Sequence, residues 1–592
     1  MSVPQIVLDD PRSGGERIYA SPLEVVRADT IGQVDAAFAK LEDALAAGRH
    51  AAGYFSYELG YALERRLVPL MPSSRNVPLL WFGIFADCGS GGGCADESAP
   101  RTHAGRLVHE WDEARHAASF EWIHALIAAG DLYQANLSYR ARFSFVGEPY
   151  AFYRDLRSRA HARHCAFVDD GERQIVSISP ELFFDISPAC VVRTRPMKGT
   201  AARGTTTEED SAARARLAAS EKERAENLMI VDLVRNDLSR IAIPGSVEVE
   251  SLFEVETYPT VHQLVSTVAA RLAPRMGVET IVRALFPCGS VTGTPKIRAM
   301  EVIREIETSP RGVYCGAIGY FAPDGSAVFN VAIRTLTITG GEGELGIGGA
   351  IVFDSRAHAE YEECRVKARF YEAAHHPLHL IETLRYEPGV GFLRLDRHLA
   401  RIASSAAALG FGFDAACAGH ELQRCVAGRF EALRVRLTLH EDGMMCAGAE
   451  PFVASRVPWR FAISPRRVSS RDPLLRHKTS RRELHDSEHA RLAASLGCDE
   501  VLFLNERGEL TEGSRTNIFV EIGGTLLTPA LTAGLLDGCL RRELLDEGRC
   551  FEAPLTSADL DRAERVFLGN SLRGLIPAIE IPHGEPYEIH TS

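Results

Sequence analysis

At 592 residues, with 45% apolar and 24% charged side chains, the chain is too long for one hydrophobic core and has the balance of a soluble globular protein of about four domain-sized units. A formal net charge of −13 argues against nucleic-acid binding, and the absence of a long apolar run argues against a membrane span. The start, MSVPQIVLDD, lacks the basic residues and apolar stretch of a secretory leader, and 13 scattered cysteines without a CxxC pair fit free thiols, so a cytoplasmic location is expected.

In chain order, residues 51–64 and 77–87 alternate apolar and small side chains, which predicts sheet edges with a short helix between them. The Gly/Ser-rich stretch 87–105 predicts an exposed loop. Helical spacing from Phe120 to Ala129 stops at Gly130, and a strand-like YQANLSYRARFSF follows. SEKERAENLMIVDLVRNDL (220–238) predicts a helix with Leu228, Val231 and Val234 on one face. VFNVAIRTLTIT (328–339) reads as one β run that turns at GGEG and returns through LGIGGAIVFD. A last helix, HAEYEECRVKARFYEAAHH, ends before Pro377, and a new strand–turn–strand–helix pattern begins at HLIETLR. The boundary is expected near 374–378, giving units 1–374 and 378–592.

Several residues suggest chemistry. Glu226 and Glu363 lie on different helices, an arrangement that can grip one Mg²⁺ and leave positions for a substrate carboxylate, although either alone is more often a solvated charge. Lys198, in TRPMKGT, lies on a strand-to-turn segment where desolvation would make its amine nucleophilic. Gly346-Ile347-Gly348-Gly349 could present backbone N–H groups to an anion. In the second half, Lys478 precedes a helix, Glu512 follows a turn, and TPALTAGLLDGCLRREL puts a glycine turn before a helix N-terminus. His485-Asp486-Ser487-Glu488-His489 matches the H-x-x-E-H zinc pattern, but its neighbours point to other chemistry.

Taken together, SPELFF, TRPMKGT, KERAENLMIVDLVRNDL, LFPCGSVTGTPKIRAMEVI, RGVYCGAIGYF, NVAIRT and GIGGAIVFDS…EYEECRVKA resemble the chorismate-utilising family over roughly residues 120–370. The resemblance implies Glu226 and Glu363 as Mg²⁺ ligands. It implies Tyr314, Arg334, Lys367, Gly348 and Gly349 as holders of the substrate's two carboxylates, Ser290 as a hydroxyl beside the ring, and Glu181 as the acid that helps the C4 hydroxyl leave. Anthranilate synthases resemble this segment but carry alanine where Lys198 stands. PMKGT is similar to the aminodeoxychorismate synthases, in which the lysine forms a covalent intermediate that ammonia resolves at C4. Gln263 departs from the histidine that many relatives place before LVS, and adjacent His262 is the alternative donor. The sequence shows no glutaminase signature, so a separate glutamine amidotransferase subunit is the expected ammonia source.

LIETLR, RHLARIASSAAALGF, RHKTSRREL, DEVLFLNERGELTEGSRTNIF, TPALTAGLLDGCLR and VFLGNSLRGL resemble the fold-type IV pyridoxal phosphate enzymes. This implies Lys478 as the Schiff-base lysine, Glu512 as the partner of the pyridine nitrogen, and Arg401, the Cys539 and Leu540 amides and Ser571 as the phosphate site. The motifs leave transaminase and aminodeoxychorismate lyase both open. The company of the first half favours the lyase and 4-aminobenzoate as product. An amino-acid aminotransferase in the second half, or an anthranilate synthase-like first half, is the alternative. The implied fold is α+β: a sandwich of large, mostly antiparallel sheets with helices, then two α/β lobes, with a homodimer through the second half left open.

Overall fold

The structure is a computed structural model; it describes residues 5–10, 14–91, 101–160, 162–258, 261–372 and 377–581. Residues 373–376, at the expected boundary, and Cys94, in the expected loop, lie outside these. Among the described residues the chain forms two compact units. One takes 5–91, 107–143 and 152–372, and the other takes 101–106, 144–151 and the chain from Pro377. The two short early segments join the second unit through bonds such as Ser144 Oγ to Leu409 O (2.7 Å) and Arg101 Nη1 to Arg481 O (3.0 Å). No described helix is long and apolar enough to cross a membrane.

The first unit is a sandwich of two large sheets. In one, strand Gln134–Val146 neighbours Glu342–Ile351, followed by Thr335–Thr339, Gln174–Ser179, His164–Asp169, Gln5–Asp10 and Gly15–Ala20. In the other, Met197–Ala202 pairs with Val261–Arg271, followed by Val191–Thr194, Leu182–Ile186, Ala327–Val331, Ala317–Phe321, His50–Phe55, Leu80–Phe85 and Glu24–Ala28. Ile6, Tyr19, Val168 and Ile175 from the first sheet pack against Tyr54, Trp81, Tyr320 and Val328 from the second, which places an apolar core between them. The outer face of the second sheet is covered by helices Val34–Ala46, Glu221–Ser239 and Val278–Leu285. Burying the inner face of both sheets is what makes a sandwich stable.

Three expectations change here. The β run 328–339 is two strands in different sheets, and Arg334, at φ +49°, sits where the chain crosses between them. A continuous apolar run carries no mark of such a crossing. In helix Glu221–Ser239, Val231 and Val234 are buried as expected, but Leu228 is half exposed and the buried face is completed by Asn227, Ile230, Asp237 and Leu238. Strand His50–Phe55 is interior to its sheet rather than an edge, with Gly53 pressed onto Trp81 so closely that a Cβ would meet its carbonyl oxygen.

The second unit has two lobes. Its small sheet orders Gly391–Phe392, His379–Glu387, Leu433–His440 and Met445–Pro451, and buries one face under helices Leu395–Leu409 and Ala415–Val426. LRVRLTLH alternates strictly, with Leu433, Val435, Leu437 and Leu439 inward, as a sheet with one covered face requires. The larger, eight-stranded sheet is built around Glu500–Asn505, Trp459–Val468, Gly574–Glu580, Arg565–Asn570 and Asn517–Ile522, with helices Glu483–Leu496 and Cys539–Asp546 packed against it.

Candidate active sites

In the first unit the site begins at an irregularity. Strand Met197–Ala202 keeps register with Val261–Arg271 at Met197 and at Thr200 but shifts between them, so Lys198 and Gly199 form a bulge. Gly199 has φ +80°, and a Cβ there would lie 2.8 Å from Glu223 Oε2, so only glycine lets the Lys198 segment close onto helix Glu221–Ser239. Ser220 caps that helix by accepting from Glu223 N at 3.4 Å, and its first two turns carry Glu223 and Glu226. Burial, then the nearby Lys367 charge, holds the Lys198 amine below its ordinary pKa, while Glu226, Glu181 and Glu363 partly offset both.

Helix Ala357–Glu372 supplies the facing groups. Lys367 Nζ lies 2.9 Å from Glu363 Oε1 and donates to Gly348 O at 2.9 Å. The Lys367 charge pulls Glu363 below the usual carboxylate range. Glu360 accepts from Ser355 Oγ at 2.6 Å and is pushed up by burial, with Glu363 adding to the shift. Glu223 is likewise pushed up by burial and by Glu226. Glu226 and Glu363 thus push Glu223 up and Glu363 pushes Glu360 up, a crowding of carboxylates on two helices that a divalent cation would relieve, so these residues fit Mg²⁺. Glu223 and Glu360 were missed in the sequence; each lies three residues before a named ligand, on the same helix face.

Glu181 is buried, its Oε1 has no hydrogen-bond partner among the described residues, and burial pushes it up to about 7 against the opposing pull of Ser290 and Lys198. Ser290 sits in the turn Gly289–Val291 with its hydroxyl 3.2 Å from Cys288 Sγ. The Tyr314 hydroxyl lies 3.5 Å from Ser138 Oγ, and its ring occupies the place a Cβ on Gly346 would take. A Cβ on Gly348 would lie 2.3 Å from Ser138 Oγ, whereas Gly349 has room beside Lys367. Lys198, Glu181, Ser290, Glu226, Glu363, Lys367 and Gly348 thus form one connected set, with Tyr314 joined through Ser138. Arg334 stands apart: burial lowers its pKa, and it holds no ion pair among the described residues.

Gln134 is fully buried, and neither end of its amide has a partner among the described residues; the Oγ1 of its register partner Thr294 is also unpartnered. A buried amide left this way costs free energy unless a ligand or water meets it. The sequence signal was present in YQANLSY, where Gln134, Asn136 and Ser138 place polar groups on one face of a buried strand. His262 does not replace the missing histidine. Its ring nitrogens lie 3.0 Å from Thr257 Oγ1 and 3.0 Å from Asp210 Oδ1, so both are already used.

In the second unit, the Lys478 carbonyl is fixed by Ile381 N at 2.8 Å. Its amine is pulled down to about 8 by burial and then by Arg482 and Arg401. Glu512, on strand Leu510–Gly513, accepts from Leu536 N at 3.1 Å and is pushed up to about 7 by burial. Arg401 grips Glu382 with Nε (2.8 Å) and Nη2 (2.6 Å), and donates from Nη1 to Asp537 O (3.2 Å). His398 links Glu382 (2.6 Å) to Ser571 Oγ (2.7 Å). Burial would raise Glu382, but Arg401 and His398 overcome it and bring the carboxyl down to about 2. Asp537 immediately precedes Gly538, whose missing side chain leaves room for Asn517 Oδ1, and helix Cys539–Asp546 begins there with its first amides free of helical partners. A lysine of lowered pKa, a carboxyl of raised pKa and a helix N-terminus with Arg401 and Ser571 beside it fit pyridoxal phosphate.

Glu382, His398 and Cys539 are close enough together to hold a metal ion, but Arg401 already takes both oxygens of Glu382. The H-x-x-E-H match dissolves. His485 packs on Phe503 and is pushed down to about 3 by burial, Glu488 is tied to Ser464 and Arg491, and His489 faces Asp499 O and Arg515.

Comparison with known proteins matches a family to each half of the chain. A family model described as chorismate binding enzyme matches residues 93–373, and one described as amino-transferase class IV matches residues 379–581. The aminodeoxychorismate synthase of Streptomyces griseus is 49% identical over 242 residues, 41% of this chain and 34% of that protein. The solved anthranilate synthase component I from Streptococcus pneumoniae is 27% identical, covering 62% of this chain and 92% of that one, with a TM-score of 0.51. A solved putative amino-acid aminotransferase from Mesorhizobium loti is 47% identical over 34% of this chain and 100% of that one, with a TM-score of 0.34. The chain spans between 24 and 60% of the length of the curated aminodeoxychorismate synthases it matches. Residues 93–373 belong to the chorismate binding enzymes and residues 379–581 to the class IV amino-transferases, a family that uses pyridoxal phosphate.

Proposed function

We propose that the chain converts chorismate to 4-aminobenzoate in two reactions, amination at C4 in the first unit and elimination of pyruvate in the second. The observation that carries this reading is Lys198: a partly desolvated amine, placed on a bulge among Glu181, Glu226, Glu363 and Lys367.

In the first reaction the neutral Lys198 amine attacks C2 of the ring while the C4–O bond breaks, and Glu181 gives its proton to the departing hydroxyl, which leaves as water. Ammonia then attacks C4, the C2–N bond to Lys198 breaks, and the amine returns to its starting state. Lys367, Tyr314, Arg334 and the Gly348–Gly349 backbone hold the two carboxylates. Glu226 and Glu363, backed by Glu223 and Glu360, would hold Mg²⁺, which supplies positive charge to the substrate anion. Ammonia comes from a separate glutamine amidotransferase.

In the second reaction Lys478 would hold pyridoxal phosphate, which supplies an electron sink when bound. Glu512 would pair with its ring nitrogen, while Arg401, the Cys539 and Leu540 amides and Ser571 would hold its phosphate. The Lys478 amine, free once the substrate's amine has taken its place, would take the proton from C4; the C3–O bond would break to release the enol of pyruvate, which takes up a proton to become pyruvate, and the ring would become aromatic.

Two variants test the order. Lys198→Ala given chorismate and ammonia should form no product yet still release pyruvate from aminodeoxychorismate, and Lys478→Ala should accumulate aminodeoxychorismate. A Lys198→Ala enzyme that turns over chorismate at the normal rate would falsify the covalent route. Turnover in the second unit that depends on a keto-acid acceptor would make that half an aminotransferase.

A further inference from the structure

Four arginines converge beside the cofactor loops of the second unit. Arg385 and Arg434 are direct register partners on neighbouring strands, on the face opposite the core-facing Leu384 and Val435. Like charges placed opposite one another cost stability. Arg573 lies two residues beyond Ser571, and its backbone N donates to Asn570 Oδ1 at 3.0 Å. Asn570 Nδ2 in turn donates to Arg515 O at 3.2 Å, and Arg515 follows Glu512 by three residues. The guanidinium carbons of Arg385 and Arg573 lie 4.1 and 5.2 Å from the ring centre of Phe452, and that of Arg573 lies 5.9 Å from the ring centre of Trp459.

Acids compensate only half of this charge. Arg385 pairs with Glu387, and Arg434 pairs with Glu450. The Arg573 side chain donates to Val453 O at 3.1 Å, the Arg515 guanidinium lies against the His489 ring, and neither guanidinium has a carboxylate partner among the described residues, the Glu500 carboxylate being met by the Arg515 backbone N. Arg385 Nε is buried without a partner. Burial, then repulsion from Arg434, Arg515 and Arg385, holds Arg573 below the ordinary arginine range. An anion would relieve that repulsion, guanidinium forks match a carboxylate in two-point geometry, and the two rings offer a flat apolar wall.

We propose that Arg385, Arg434, Arg515 and Arg573, with Phe452 and Trp459, form a binding site for a ring-borne carboxylate. Assigning that carboxylate to the substrate or product of the second reaction rests on the proposed function; the site itself does not.

Benzoate is the probe and aniline its uncharged control, titrated into the full chain loaded with pyridoxal phosphate and read by tryptophan fluorescence. Benzoate should quench saturably, Trp459→Phe should abolish the signal, and Arg573→Gln and Arg385→Gln should each weaken the Kd about tenfold, the scale of one charge-assisted bond. Arg434→Gln, on a more exposed strand position, should weaken it in the same direction and guards against a folding defect in the other two. Absence of saturable quenching, an unchanged Kd in the arginine variants, quenching that survives Trp459→Phe, or equal quenching by aniline would overturn the site. Pyruvate release is measured in parallel. Benzoate binding without pyruvate release contradicts the function alone, and pyruvate release without benzoate binding contradicts the site alone.

Discussion

Glu181→Gln separates the catalytic from the structural role of one residue. The Glu181 carboxyl is buried and carries a pKa of about 7 against an ordinary 4.5. As the acid for the C4 hydroxyl it must be protonated, so its active fraction falls about tenfold between pH 6 and pH 8. Removing the proton donor should cost about 10²–10⁴-fold in kcat for C4 amination and erase that basic limb of the profile. The same shift sets a stability sign. The native state binds the proton more tightly than the unfolded chain, so stability is full below about pH 4.5, declines as pH rises to about 7, and above that is lower by about 3 kcal/mol. Glutamine carries no charge and escapes that penalty, so the variant should be less active yet melt a few degrees higher at pH 8. The assay pairs a pH series of chorismate consumption under ammonia with thermal unfolding at pH 5 and pH 8. Retained activity, or a variant that keeps the wild-type fall above pH 7, would refute the assignment.

Other expectations follow from the same geometry. Gly348→Ala forces a Cβ against Ser138 Oγ and Leu137 O and should cost about 1–3 kcal/mol of stability while raising the KM for chorismate, read by thermal unfolding and initial rates. Glu382→Gln takes the carboxylate of buried Glu382 away from the half-buried Arg401 and should destabilise the second unit by about 3–5 kcal/mol. Pyridoxal phosphate should then dissociate more readily in an absorbance titration, while chorismate consumption by the first unit stays unchanged. Glu223→Gln and Glu360→Gln should each weaken Mg²⁺ dependence, raising the concentration that gives half-maximal amination; an unchanged Mg²⁺ titration in both would remove these two residues from the metal site.

Much of the fold was legible because the pattern is strong where one face is buried. LRVRLTLH alternates as a half-covered strand must, and the helix 220–238 shows its period and its serine cap. The crossing at Arg334 was not legible, because residues on both sides of it are apolar and belong to buried strands of different sheets. Leu228 was misplaced because this helix buries Asn227 and Asp237 among its apolar residues, and a periodicity reading gives polar side chains to solvent. At the sites, residue types with an obvious task were found: Lys198, Glu226, Glu363, Lys478 and Glu512. Those recognised only by their surroundings were not. Gln134 looks ordinary until its amide is seen to lack partners, and Glu223 and Glu360 look like surface acids until two helices bring them beside Lys198 and Lys367.

The central claim is that one chain carries chorismate through both reactions. The direct measurement gives the purified full-length protein chorismate, ammonium, Mg²⁺ and pyridoxal phosphate, with no keto acid present, and follows 4-aminobenzoate and pyruvate together. The account expects both to appear in equal amounts. Anthranilate as product, or aminodeoxychorismate accumulating without pyruvate until a keto acid is added, would contradict it.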